Sequence, residues 1–375
     1  MHEVINVTKT HLPAREKLNR YIDRIYDSNW LTNNGPLAKE LTARLEAYLS
    51  VQNLLLVSNG TLALQIAYRA LGITKQAVTT PFSFVATTSS LVWEGIEPIF
   101  ADIDPKTFCI DPKEIEKAIT PETQAIVPVH VFGNACEIEA IETITQKHGL
   151  KTVYDAAHAF GVQYKGKSIL SYGDASTLSF HATKVFHTIE GGAIVFKDRE
   201  VYERARLMIN FGIDGPDSVA TLGINAKMNE FQAAMGLAVL DEMEQIISGR
   251  QAVWTQYESN LKGKLQLQEG NPDCTNNYAY FPVVFESEEA LLQAKEEMNR
   301  NHINPRRYFY PSLDKVPYCD GQNNPCSSDI SARILCLPLN PTLAVGVQKD
   351  IIRILDFFRS FNSRIQIEEG APNAF

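Results

Sequence analysis

Ser179-Phe180-His181-Ala182-Thr183-Lys184-Val185-Phe186-His187-Thr188-Ile189-Glu190-Gly191-Gly192 places one lysine in a stretch poor in other charge. Thr177 to Phe180 and Ala193 to Phe196 flank it as a predicted strand pair. Lys184 then sits on a connection that the two glycines shape, where apolar surroundings lower the pKa of an amine. Upstream, Asp155 ends the apolar run Thr152 to Tyr154 and opens Asp155-Ala156-Ala157-His158-Ala159-Phe160-Gly161. Further upstream, Ser58-Asn59-Gly60-Thr61 follows the apolar run Leu54 to Val57. Beyond it, Leu62 to Leu71 has helical apolar spacing and stops at Gly72.

Each of these features is ordinary alone. A lone lysine is usually solvated, a lone aspartate is often a cap or turn residue, and Asn-Gly is a common turn. Together they supply an amine, an acid and an anion-binding turn, which is what pyridoxal phosphate requires. Lys184 is the expected Schiff-base lysine, and Asp155 the carboxylate for a protonated pyridine nitrogen. Gly60 and Thr61 offer bare N–H groups and a hydroxyl to the phosphate, and Ser179 a second hydroxyl. Phe84, in Pro81-Phe82-Ser83-Phe84-Val85-Ala86-Thr87, is suited to stack on the ring, although an aromatic beside apolar residues is often plain core. Three readings of His158 stay open: contact with the ring's phenolic oxygen, orientation of Asp155, or a structural histidine.

Short apolar runs alternate with helical patterns through the first two-thirds of the chain. Strands are predicted at Leu54–Val57, Ala125–Val131 and Thr152–Tyr154. Helices are predicted from Asp111-Pro112 to about Ile119 and over Glu137–His148, stopped by Gly149. The alternation implies an α/β fold with a mostly parallel sheet, whose ligands lie beyond the carboxyl ends of the strands. A long helical pattern runs from Met228 to Ile247 and continues from Arg250 towards Leu261. The domain change is placed there, giving a large α/β unit over 1–247 and a smaller α+β unit over 248–375. In the latter, Ala279–Phe285 and Ile334–Leu337 read as strands, and Glu288–Asn299 and Val347–Phe361 as helices. Pro317 to Pro325 reads as an irregular loop and Glu368 to Phe375 as a loose tail.

With 375 residues, 45% hydrophobic and 21% charged, the chain has the composition of a globular enzyme. The net charge of −9 opposes general nucleic-acid binding. No apolar run suggests a membrane span or signal peptide. The six cysteines form no Cys-x-x-Cys, so a reduced cytoplasmic protein without a metal is expected.

The chain resembles the sugar-nucleotide aminotransferases of the DegT/DnrJ/EryC1/StrS family, a branch of fold-type-I pyridoxal phosphate enzymes similar to aspartate aminotransferase. The likeness runs from Trp30-Leu31-Thr32-Asn33-Asn34-Gly35-Pro36 to Arg307-Tyr308-Phe309-Tyr310-Pro311. It implies the roles given above for Lys184, Asp155, Phe84, Gly60, Thr61 and Ser179. It further implies a homodimer in which Asn225 reaches the neighbour's cofactor phosphate. Here the chain departs from the family, with Ile224 in place of an aromatic and Lys227 in place of an arginine. The resemblance also implies L-glutamate as amino donor and a dTDP-linked 4-keto-6-deoxyhexose as acceptor, with pyridoxamine phosphate as the intermediate cofactor form. Trp30, Thr32, Asn33, Asn34, His181, His187, Arg307 and Tyr308 are the expected substrate contacts.

Three other functions compete. A pyridoxamine-dependent dehydratase on this fold has histidine in place of the lysine. A nicotinamide oxidoreductase wants a Gly-x-Gly-x-x-Gly turn, which is missing. A non-catalytic scaffold has no need of the full set of Lys184, Asp155 and Gly60-Thr61.

Overall fold

The computed structural model describes residues 4–319 and 322–369. Its centre is a seven-stranded sheet. After the short strand β1 (Ile5–Asn6), the chain lays down β2 (Leu54–Val57), β3 (Gln76–Thr79), β4 (Glu97–Phe100), β5 (Thr123–Val127) and β6 (Lys151–Asp155). A small hairpin, β7 (Gln163–Tyr164) and β8 (Lys167–Ser168), precedes β9 (Ala175–Ser179) and β10 (Gly192–Phe196). The spatial order is β2-β10-β9-β6-β5-β3-β4. Neighbours from β9 to β4 are parallel, and β10 runs antiparallel to both β9 and β2.

β2 and β10 read as unbroken apolar runs because both faces are covered. Leu54 and Leu56 enter one core with the helices Pro36–Leu49 and Glu230–Leu240. Leu55 and Val57 enter the other with the helices Gly60–Leu71 and Arg199–Met208. The predicted strand Ala125–Val131 stops short. Pro128 lacks the N–H needed to continue the ladder, and a tight turn with Phe132 at φ 58 follows.

A hairpin of β11 (Ile213–Gly215) and β12 (Ser218–Val219) follows. The later part of the chain forms a three-stranded antiparallel sheet of β13 (Gln266–Leu267), β14 (Pro282–Val284) and β16 (Ile334–Cys336). Between β14 and β16 lies β15 (Ile303–Asn304), which pairs with β1. This parallel pairing ties the start of the chain to residues 303–304.

The helical pattern from Met228 resolves into Glu230–Leu240 and Met243–Leu261. No glycine or proline marks the break. It falls at two acids taken by distant partners, Asp241 by Tyr21 and Arg44, and Glu242 by His11 and the Ala14 N–H. The second helix runs unbroken through residue 247. Its start, Met243 and Ile246, packs in the large core, and Val253, Tyr257 and Leu261 pack in the small one. Pro325, the last residue of the expected loop, opens a helix, Pro325–Arg333, where the sequence reading assigns no element. Glu368 and Glu369 end the last helix, Val345–Glu369, and the rest of the expected tail lies outside the described residues. Among the described residues no helix is long and apolar enough to cross a membrane.

Candidate active site

Strands β2, β9 and β6 end at the same edge of the sheet, with β10 between the first two, and their carboxyl ends open onto one cavity of about 260 Å3. Gly60, Thr61, Phe84, Asp155, His158, Ser179, His181, Lys184 and Tyr308 all line it.

The anion turn follows β2. The Asn59 side chain caps the helix Gly60–Leu71 by accepting the Leu62 N–H at 2.8 Å. The first N–H groups of the helix are thus left free to meet a negative charge. Glycine is needed at position 60, since a Cβ would lie 2.8 Å from that of Ser179. It is needed at 192 as well, where a Cβ would meet the Asn59 carbonyl oxygen at 2.7 Å. The Ser179 hydroxyl therefore stands directly against the turn.

Asp155 closes β6 and is buried. One carboxylate oxygen accepts the Thr87 hydroxyl at 2.7 Å, and the other accepts the Ala157 N–H at 3.1 Å. Burial raises its pKa, while the Thr87 and Ala157 hydrogen bonds and the charge of Lys184 oppose the rise. Lys184 shows the converse effect. Desolvation lowers its pKa to about 8, and the Asp155 charge resists the fall. An amine so tuned is a competent nucleophile and base near neutral pH.

His158 lies parallel to the Phe309 ring at 5.7 Å and to the Phe132 ring at 6.1 Å, with Tyr280 tilted against it at 4.8 Å. Burial holds its pKa well below the ordinary value, so the ring is neutral. Nδ1 accepts the Phe132 N–H at 3.3 Å, which leaves the proton on Nε2 as a donor. Of the three open readings, orientation of Asp155 has no hydrogen bond behind it; Thr87 and Ala157 do that. Phe84 caps the helix Val85–Trp93 and leaves its ring half exposed at the cavity wall.

The remaining expected residues lie elsewhere. His187 is buried, and its Nε2 meets the His11 carbonyl at 2.7 Å, so packing explains it. Arg307 is paired with Glu288 at 2.6 Å and stacked on Tyr310, outside the cavity. Its neighbour Arg306 lines the cavity instead, because successive residues of an extended segment point to opposite sides. Arg306 lies 4.6 Å from the Tyr308 ring centroid and pairs with no carboxylate among the described residues. Asn33 and Asn34 line a second cavity of about 420 Å3 with Asn210 and Lys227. Trp30, Thr32 and Asn225 are exposed. This loop and the 225–230 segment are joined at Glu230, whose N–H meets the Leu31 carbonyl and whose carboxylate accepts the Leu37 and Ala38 N–H groups. Besides Arg306, sequence reading missed Ser83, Thr87, Glu190 and Tyr280, while Phe309 falls within the expected Arg307–Tyr310 segment. Only Ser83 and Thr87 left a trace, as hydroxyls beside Phe84.

The donor set fits pyridoxal phosphate: a glycine turn for phosphate, an acid held for a ring nitrogen, a donor histidine, and an amine of lowered pKa.

Comparison with known proteins agrees. Residues 13–356 match the DegT/DnrJ/EryC1/StrS aminotransferase family. A dTDP-4-amino-4,6-dideoxy-D-glucose transaminase of Shigella dysenteriae is 42% identical over 94% of this chain and 98% of its own. A transaminase of the same name from Escherichia coli is 38% identical over 94% and 98%. Among solved structures, DesI, crystallised with its TDP-sugar product, superposes with a TM-score of 0.89 at 32% identity, covering 98% of this chain and 96% of that one. The chain belongs to the DegT/DnrJ/EryC1/StrS aminotransferase family.

Proposed function

We propose that this aminotransferase moves the amino group of L-glutamate to the C4 ketone of dTDP-4-dehydro-6-deoxy-D-glucose, giving dTDP-4-amino-4,6-dideoxy-D-glucose. The observation that carries the chemistry is the convergence of Lys184, Asp155 and the Gly60 turn on one cavity. The substrate follows from the 42% and 38% identical relatives, both named for this amino sugar. When bound, pyridoxal phosphate supplies the electron sink and carries the amino group between the two reactants.

The chain's own residues do the rest. Lys184 Nζ holds the cofactor. Once released, it takes the proton from the carbon of the amino donor and returns one to the acceptor carbon. The Asp155 carboxylate balances a positive ring nitrogen. His158 Nε2–H would donate to an oxygen on the ring, and Phe84 would cover a face. His181, Arg306 and Tyr308 receive the substrates, both of which are anions.

The proposal extends to a homodimer with shared sites. Phe211, Ile213, Val219, Leu222 and Ile224 leave large apolar surface exposed around Asn225, more than a lone subunit needs. A two-fold interface there would bring Asn225 and the Trp30–Asn34 loop to the partner's cavity. Mixing inactive Lys184→Ala subunits with inactive Asn225→Ala subunits is expected to restore up to about one-quarter of wild-type activity, because one site in each mixed dimer is intact. No recovery, with subunit exchange shown by mass, would remove Asn225 from the shared site.

We place the reaction in the cytoplasm, as a step towards an O-antigen or related surface glycan; six scattered cysteines without a Cys-x-x-Cys suit a reducing compartment. An amination screen with glutamate tests the assignment, using dTDP- and GDP-linked 3-keto and 4-keto sugars. The dTDP 4-keto sugar should exceed its 3-keto isomer by about 100-fold in kcat/KM, since moving the electrophile misaligns it with the amine. Preference for the 3-keto or GDP sugar would overturn the substrate and leave the family chemistry in place.

A further inference from the structure

Asp155 ends a hydrogen-bonded chain that reaches back into the helix Val85–Trp93. Thr87, fully buried in the first turn of that helix, donates to Asp155 Oδ2 at 2.7 Å. Ser83, also buried, lies 2.7 Å from the Thr87 hydroxyl and lines the cavity. The direction of the chain follows from proton counting. A carboxylate only accepts, and threonine has one hydroxyl proton, so that proton goes to Asp155 and Ser83 must donate to Thr87. Phe84 caps the same helix, and its carbonyl accepts the Thr87 N–H at 3.1 Å. One short segment thus carries both the ring-covering aromatic and the hydroxyl that holds the acid.

We propose that Thr87, backed by Ser83, is the positioning residue of the site: it keeps the Asp155 carboxylate ionised and aimed at the cofactor's ring nitrogen. The need is specific. Burial favours a neutral Asp155, and three influences oppose it, from Thr87, the Ala157 N–H and Lys184. The Lys184 charge disappears whenever its nitrogen is neutral, so the two hydrogen bonds are the permanent part. The other titratable groups around Asp155 give no compensation. His158 is held neutral, and burial keeps the Tyr68 hydroxyl protonated.

The inference rests on the cofactor reading. The test is Thr87→Val, which keeps the shape and removes the hydroxyl, with Thr87→Ser as rescue. Without the hydroxyl the carboxylate becomes more basic and draws the shared proton away from the ring. A less positive ring raises the proton affinity of the nitrogen joined to Lys184. In the loaded Thr87→Val protein, the midpoint of the visible-band pH titration should move up by about 0.5–1 unit. The half-reaction with glutamate should slow by about 10- to 100-fold, the effect of one hydrogen bond to a charged group. Thr87→Ser should stay within about 3-fold of wild type, and Ser83→Ala should fall between, moving both readouts in the same direction. Thr87→Val with a wild-type titration and half-reaction would overturn the proposal. If that variant does not fold, Ser83→Ala decides, and an unchanged titration there overturns it equally. A wild-type protein without a visible band would instead refute the cofactor reading.

Discussion

Lys184→Ala is expected to lose turnover by about 10⁴-fold or more, since one residue supplies both the covalent attachment and the proton transfer. The wild-type protein should show a visible absorption band that borohydride bleaches, leaving the cofactor fixed at Lys184 on peptide mapping. The variant should lack both signals. The lowered pKa, about 8, sharpens the expectation. At pH 7 such an amine is about one-tenth neutral, against a few parts in ten thousand for an ordinary lysine. Capture of free cofactor by the apo-protein should therefore speed up from pH 6 to pH 8 and then level off. A small exogenous amine should restore part of the variant's proton transfer. Full turnover by Lys184→Ala would end the mechanism.

Asp155→Asn is expected to bind the cofactor yet slow the glutamate half-reaction by about 10³-fold, because a neutral amide cannot balance a positive ring nitrogen. The amide keeps much of the carboxylate's shape; its one oxygen can still accept the Ala157 N–H, while its NH2 group faces the Thr87 hydroxyl oxygen as a donor. Loss of rate with retained cofactor thus separates charge from architecture. Single-turnover absorbance changes with glutamate, beside a direct measurement of cofactor affinity, check both halves. A wild-type rate would show that another group faces the ring nitrogen.

The floor of this site was legible in the sequence because it is local. Gly60 and Asp155 come at the ends of strands legible from their apolar residues, Ser179 and Lys184 come ahead of the apolar run Ala193–Phe196, and parallel topology aligns the ends of such strands. What the sequence hid depends on distant partners. Arg306 and Arg307 differ only in which side of an extended segment they face, and Glu288 with the Ala332 carbonyl claims one of them. His187 looks like a site residue beside Lys184 until His11, from the other end of the chain, takes its ring nitrogen. Thr87 reads as an indifferent polar residue in a helix until β6 brings Asp155 beside it. Asp241 and Glu242 break a helix for reasons that no local pattern carries.

Glu242 has a mechanical consequence. Strand β1 pairs with β15, and a few residues on His187 holds His11. The helix Met243–Leu261 runs alongside, from one hydrophobic core to the next. Glu242, at its foot, binds His11 at 2.7 Å, the Ala14 N–H at 3.1 Å and Lys17 at 3.0 Å. Two plies of chain are therefore stitched together by one carboxylate. A side chain that lines no part of the cavity anchors the start of one ply to the foot of the other, so its loss would loosen both at once.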